Sequence, residues 1–190
     1  MKMPMLSPRL ALVLAALLQT AVLAWMVIDR TMLIKTGREI VLPIQPVDPR
    51  DLFRGQYVRL GYPVSQVPMR LVEGPLPDRN GAFYVTIEQQ TDETWRPIRL
   101  TRDRPANLGP RQVALRARAQ RSFPTLTDGG SVFVRYGIES YFVEEGQGPR
   151  LETLARDKKL AALIAVDTCG NAAIKGIYID GQLQYSEPLL

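Results

Sequence analysis

Two hydrophobic patterns divide the chain. Residues 10–28 carry no charge and are interrupted only by Gln19 and Thr20. As an α-helix rising about 1.5 Å per residue, this run would be roughly 28 Å long, close to the hydrocarbon thickness of a bilayer. From residue 39 onward, apolar and polar residues alternate with a period of two, which is typical of half-buried strands. The pattern therefore predicts an apolar helix followed by a β-rich body.

The apolar helix has the features of a membrane anchor. Lys2 and Arg9 precede it, and Trp25 lies near its far end, where an aromatic ring suits the headgroup region. A cleaved signal peptide is the alternative, because Val22 and Ala24 are small enough to precede a cut ahead of Trp25. The run exceeds the usual 7–15 residues of a signal's apolar region and continues past that point. We therefore expect a retained anchor.

The charges that flank the helix are nearly balanced and leave its orientation open. Lys2 and Arg9 lie on one side, against Arg30, Lys35 and Arg38 on the other. A short tail is more simply left in the cytoplasm than the large body, so we expect the body outside it. The predicted parts are a short cytoplasmic tail at residues 1–9, a transmembrane anchor at residues 10–28 and a β-rich extracytoplasmic domain at residues 29–190.

Eight segments of the body alternate as strands do, and turn signals such as Asn80-Gly81 separate them. Their sequences are EIVLPI, YVRLGY, AFYVTIE, WRPIRLT, VALRARAQ, SVFVRYGI, LAALIAVD and AAIKGIYIDG. One segment, Arg150 to Leu160, has helical spacing instead. The predicted fold is mainly β: a single antiparallel sandwich or partly open barrel with one short helix, preceded by the N-terminal transmembrane helix.

Composition limits the chemistry. The chain has no histidine, the commonest metal ligand and neutral-pH general base. Its one cysteine, Cys169, can form neither an intramolecular disulfide nor a Cys-based zinc site, so we expect no metal and no cofactor. The net charge is +5, but basic residues are interspersed with acidic ones, so nucleic acid is not an expected partner.

Two polar segments could carry a function: VDPRDLFRGQYVRLGY at residues 47–62 and YFVEEGQGPRLE at residues 141–152. If the segments adjoin in space, arginines of the first could face carboxylates of the second. A structural reading competes, in which Asp48 and Asp51 cap backbone amides of a turn that enters a strand. The candidate binding residues are Asp48, Arg50, Arg54, Gln56, Tyr57, Tyr62, Glu145 and Glu152.

These segments resemble the GDYXXLXY family of bacterial proteins. The pattern Gly-Asp-Tyr-x-x-Leu-x-Tyr falls on Gly55, Gln56, Tyr57, Leu60 and Tyr62, and the resemblance extends over about residues 35–181. Gln56 replaces the family's aspartate, so a role that needs negative charge there cannot operate in this chain. The resemblance implies an N-terminal membrane segment, genes that often neighbour those of multi-pass membrane proteins, and no established activity.

Three functional hypotheses follow. The first is a non-enzymatic accessory subunit, anchored in the bacterial cytoplasmic membrane as a single-pass protein with a periplasmic domain, which binds a multi-pass membrane protein. The second is a cell-envelope hydrolase that uses Glu145 or Glu152, with paired carboxyl groups about 5–9.5 Å apart. The third is a sensor of a small ligand. A membrane-anchored signal peptidase is disfavoured, because neither Ser65 nor Ser131 lies in a Ser-Met-x-Pro context.

Overall fold

The computed structural model describes residues 7–45, 57–75, 81–120, 130–142 and 148–186. Helix α1 (Pro8–Thr36) is 29 residues long. Its N-cap, Ser7, accepts a hydrogen bond from the Leu10 amide, and a proline begins the first turn, as is usual where helical N–H groups lack partners. By length and composition α1 could cross a membrane: its mean hydropathy reaches 2.3, and its most apolar window is wholly exposed.

Strands dominate the rest of the described chain. They are β1 (Arg38–Pro43), β2 (Tyr57–Arg59), β3 (Gln66–Pro68), β4 (Val72–Glu73), β5 (Phe83–Gln89), β6 (Trp95–Thr101), β7 (Gln112–Ala119), β8 (Ser131–Arg135), β9 (Ser140–Phe142), β10 (Leu160–Val166), β11 (Ala172–Ile179) and β12 (Gln182–Ser186). A second helix, α2 (Gly148–Arg156), lies between β9 and β10, and short 3-10 helices flank β3. All eight predicted strand segments contain a strand, and the mainly β fold is confirmed.

The strands form three sheets. One has the order β1-β10-β11-β12, another the order β3-β8-β7-β5-β6-β4, and β2 pairs with β9 alone. Neighbours are antiparallel except β4, which runs parallel to β6. Consecutive strands β5 and β6 form an antiparallel hairpin, and so do β10 and β11. Non-local pairings, such as β1 with β10, join segments that lie far apart in the chain.

The two larger sheets share one apolar core. Leu42 and Ile164 from the first sheet belong to the same buried cluster as Phe83, Leu115 and Val132 from the second. Each of these side chains is at most 2% exposed. Period-two alternation turns such residues to one side of each strand, so both sheets contribute one apolar face to the same core.

Helix α2 is shorter than its sequence pattern predicts. The predicted helix continued to Leu160, whereas α2 ends at Arg156 and Leu160 already begins β10. Lys158 has a φ of 57°, in the left-handed region that terminates helices. Ala155 is buried and Leu154 packs against the core, so the helix keeps only its apolar face against the domain. Pairing of Leu160 with Ile179 in the sheet overrides the helical spacing.

Helix α1 is longer than the predicted apolar span and runs directly into the domain. It continues from Ile28 to Thr36, and only Gly37 separates it from β1. Leu33 and Ile34 are buried in a small cluster with Ala165 of β10 and Ala173 of β11. The last turns of α1 are therefore part of the packed domain.

Candidate functional site

The described end of the first polar segment, from residue 57, adjoins the start of the second in the structure. Strand β2 pairs with β9 so that Val58 lies opposite Tyr141 and Tyr57 opposite Phe142. Beyond the strand, the Leu60 amide donates to the Glu139 carbonyl at 2.8 Å. We call this pair of chain segments, residues 57–64 and 136–142, the motif ribbon. It brings the family-like pattern beside the start of the second polar segment.

Two buried tyrosines join the two segments of the motif ribbon by hydrogen bonds. The Tyr62 hydroxyl donates to the Ile138 carbonyl at 2.8 Å, and the Tyr136 hydroxyl donates to the Val64 carbonyl at 2.6 Å. Burial, together with the negative charge of Glu139, raises the pKa of both hydroxyls well above the ordinary value of a tyrosine. Both therefore stay protonated at neutral pH and act as hydrogen-bond donors.

Glu139 stabilises the turn between β8 and β9. Its carboxylate accepts hydrogen bonds from the amides of Tyr136 at 2.5 Å and Gly137 at 3.0 Å. Gly137 has a φ of 86°, which suits glycine. This carboxylate satisfies backbone donors that the turn leaves unpaired, so its geometry is that of a turn cap.

The opposite edge of the ribbon is tied to the four-stranded sheet. The Gln45 amide donates to the Gly61 carbonyl at 2.8 Å, and the Ile44 amide donates to Leu160 at the start of β10. The segment after β1 therefore joins the ribbon, through Gly61, to β10 of the four-stranded sheet.

Few of the predicted site residues can be compared with the structure. Tyr62 is buried and uses its hydroxyl within the domain, so it supports the ribbon from inside. Tyr57 lies in β2 and Glu152 in α2, but only their backbone positions are described. The predicted residues outside the described part of the chain are Asp48, Arg50, Arg54, Gln56 and Glu145. The binding and hydrolase hypotheses for these side chains stay predictions.

An exposed aromatic ring marks the outer side of the ribbon. Phe142 is 76% exposed. It lines a cavity of about 210 Å³ together with Arg30 of α1 and Ile174 of β11. The ribbon therefore lies beside the last turns of α1, where that helix meets the domain.

Catalytic geometry does not emerge from the described residues. Within the described ranges, no group of three or more His, Cys, Asp or Glu residues could hold a metal ion. The space between the two large sheets is filled by apolar side chains such as Phe83, Ile87 and Leu115. The described part of the ribbon presents the exposed ring of Phe142 on a surface that hydrogen bonds hold in place.

Sequence reasoning missed Tyr136 and Glu139. Tyr136 continues the alternation of Val132 and Val134, so its inward direction could have been read from the sequence. The hydrogen-bond partner of Tyr136 could not be predicted from the sequence. Val64 lies 72 residues away, and only the pairing of strands brings it near.

A comparison with known protein families finds a match over most of the chain. A family model described as GDYXXLXY protein matches residues 19–177, from inside α1 into β11. Neither the curated proteins nor the solved structures contain a significant match. The match covers most of the chain and confirms the resemblance indicated by Gly55, Tyr57, Leu60 and Tyr62. The chain belongs to the GDYXXLXY family.

Proposed function

We propose that this protein is a non-enzymatic accessory subunit, anchored in the bacterial cytoplasmic membrane by α1, which binds a multi-pass membrane protein. The observation that carries the proposal is the junction between α1 and the domain. Only Gly37 stands between the helix and β1, and Leu33 and Ile34 are buried against the sheet. A domain held in this way has a defined height and orientation above a bilayer.

Hydrogen bonds on both sides of Gly37 support a rigid junction. The Arg30 guanidinium donates to the Ala172 carbonyl at 3.5 Å. The Arg38 guanidinium donates to the carbonyls of Gln112 at 2.9 Å and Pro110 at 2.5 Å. A simple tether would need only a flexible linker. Fixed placement suits a protein that must present one surface to a neighbour in the same membrane.

The middle of α1 supports contact with another helix. Gln19 and Thr20 are exposed on α1 among apolar residues. The Thr20 hydroxyl donates to the Ala16 carbonyl at 2.9 Å and so is satisfied within the helix. The longer Gln19 amide would lie near the bilayer midplane, where polar side chains usually bind other helices.

Copurification tests the partner. The full chain is crosslinked in cells, extracted in mild detergent, and compared with Gln19→Leu and with the control Thr20→Val. We expect recovery of a multi-pass protein with the parent chain and the control. Recovery with Gln19→Leu should fall about threefold or more, the usual effect of one hydrogen bond between helices in a bilayer. Repeated recovery of the parent chain alone after crosslinking would reject the accessory role.

The side of the membrane can be tested with the native cysteine. Cys169 is the single cysteine of the chain and is exposed. A membrane-impermeant maleimide should label it in intact spheroplasts if the domain is periplasmic. The control carries Ser7→Cys with Cys169→Ser and should be labelled only after permeabilisation. The reverse pattern would place the domain in the cytoplasm.

Retention of α1 has its own test. We expect the mature protein to keep the residues before Trp25 and to resist extraction by alkaline carbonate. A mature chain that begins near Trp25 and is released by carbonate would show that the segment is a cleaved signal, and the accessory role in the membrane would then fail.

A further inference from the structure

Three arginines line one shallow cavity on the domain. Arg116 and Arg118 of β7 and Arg135 of β8 surround a space of about 400 Å³. Arg116 and Arg118 are two residues apart and so lie on the same face of β7. Arg118 lies directly opposite Arg135 in the pairing of β7 with β8. Like charges in directly opposite positions destabilise a strand pair, so this arrangement favours a bound anion.

The cavity has a net positive charge. Of the described residues that line it, Glu139 is the one carboxylate, and this group already accepts hydrogen bonds from the Tyr136 and Gly137 amides. Among the described residues, the ion pairs are Arg99–Glu73, Lys159–Asp180 and Lys175–Glu39, which leave the three cavity arginines unpaired. The Arg116 guanidinium donates a hydrogen bond to the Asn171 amide oxygen at 3.5 Å, which leaves Arg118 and Arg135 without a hydrogen-bond acceptor among the described side chains.

The cavity lies next to the end of α1. Ala172 lines the cavity, and its carbonyl accepts the hydrogen bond from Arg30. Gly137 lines both this cavity and the neighbouring one that contains Arg30 and Phe142. Asp29 alone separates Arg30 from the uncharged run of α1, which ends at Ile28. The arginines are therefore near the level at which a membrane-spanning α1 would leave the hydrocarbon.

We propose that Arg116, Arg118 and Arg135 bind the phosphate of an anionic phospholipid headgroup. Guanidinium groups bind phosphate oxygens in pairs of parallel hydrogen bonds, and several around one cavity neutralise the charge of the phosphate. The proposal rests on the proposed membrane span of α1, which brings the headgroup within reach. A soluble phosphate has the same chemistry, and the experiment separates the two sources.

The experiment measures lipid bound to the full chain in mild detergent. Native mass spectrometry counts adducts of phosphatidylglycerol, of zwitterionic phosphatidylcholine, and of phosphatidylglycerol in the presence of millimolar inorganic phosphate. We expect a saturable phosphatidylglycerol adduct, little phosphatidylcholine, and little competition by phosphate. Equal retention of both lipids would overturn the proposal, and full displacement by phosphate would assign the cavity to a soluble ion.

Matched variants locate the site. Arg118→Gln with Arg135→Gln removes two cavity charges, whereas Arg70→Gln with Arg96→Gln removes two exposed charges that do not line the cavity. We expect the apparent Kd for phosphatidylglycerol to rise roughly fivefold per cavity arginine and to change little in the control. Equal effects of the two pairs would overturn the proposal. Carbonate extraction of membranes that contain each variant, before detergent is added, tests the membrane span separately, because loss of lipid binding alone leaves the chain membrane-integral.

Discussion

Tyr62 and Tyr136 bind each other's chain segments. The hydroxyl of Tyr62 donates to the carbonyl of Ile138, two residues after Tyr136, and the hydroxyl of Tyr136 donates to the carbonyl of Val64, two residues after Tyr62. Both rings are buried in the common core. This reciprocal pair holds together the family-like pattern and the turn before β9, so the tyrosine that ends the pattern has a structural reason to be there.

The reciprocal pair predicts a loss of stability on removal of either hydroxyl. Tyr62→Phe or Tyr136→Phe keeps the ring but leaves a buried carbonyl without its donor, which costs about 1–3 kcal/mol. Thermal unfolding of the full chain in detergent should show a fall in Tm of several degrees for each variant. The double variant should differ from the sum of the single effects, since the two bonds join the same segments. Unchanged Tm values would contradict this account.

Alkaline pH should destabilise the domain through the same tyrosines. Burial raises the pKa of Tyr62 and Tyr136 in the folded chain above the unfolded value of about 10. Below that pH both states hold the proton and stability is full. Above it the unfolded chain releases protons that the folded chain retains. The free energy of unfolding should therefore fall as pH rises, by up to about 1.4 kcal/mol per pH unit for each tyrosine.

Unfolding measured between about pH 8 and 11.5 checks this dependence. Tyr62→Phe and Tyr136→Phe should each remove one tyrosine's share of the slope, and the double variant should remove both. The tyrosine-to-phenylalanine variants keep every other titratable group, so the contribution of those groups is common to all of the variants. A slope that is the same in the parent and the double variant would refute the assignment.

The helix-to-strand junction predicts an intolerance to side chains at Gly37. A Cβ there would lie 2.5 Å from the Leu33 carbonyl oxygen and 3.0 Å from the Val166 amide nitrogen, and both are backbone atoms. Gly37→Ala should therefore destabilise the protein by about 1–3 kcal/mol, measured as a lower Tm. Gly109→Ala is the control, because its Cβ would approach nothing nearer than the Gln112 side chain at 3.4 Å. Equal Tm values for the two variants would show that the junction can shift to accommodate a Cβ at Gly37, which would contradict the prediction.

The turn between β10 and β11 contacts β7 through Gly170. Its carbonyl accepts from the Arg116 amide at 2.8 Å, and a Cβ at this position would lie 2.8 Å from the Ala114 carbonyl oxygen. Gly170 also has a φ of 84°. Gly170→Ala should cost about 2–4 kcal/mol, from backbone strain plus the clash.

A second turn glycine separates these two causes. Gly181 has a φ of 78°, but an added Cβ would meet nothing within 4 Å. Gly181→Ala should therefore show the backbone strain alone, about 1–2 kcal/mol. If both alanine variants lower Tm equally, the close contact between the two sheets at Gly170 does not contribute to the free energy of unfolding.

Local patterns indicated most of the β structure. The alternation in WRPIRLT and VALRARAQ coincides closely with β6 and β7, because period two is a property of each strand alone. Short strands such as β9 and β12 escaped notice, since three to five residues give too little alternation to recognise. The apolar span was predicted to end at Ile28 because the charged residues Asp29 and Arg30 come next. The helix itself continues to Thr36, since Leu33 and Ile34 are buried against the domain.

The sequence by itself determined an apolar N-terminal helix, a mainly β body and membership of the GDYXXLXY family. Hydropathy, alternation and motif spacing each depend only on residues that are close together in the chain. The tertiary structure alone decided that Tyr62 meets Ile138, that Arg118 faces Arg135 and that the end of α1 is packed on β10 and β11. Each of these contacts joins residues far apart in the chain. They depend on strand order and register, which the packing of the whole core selects.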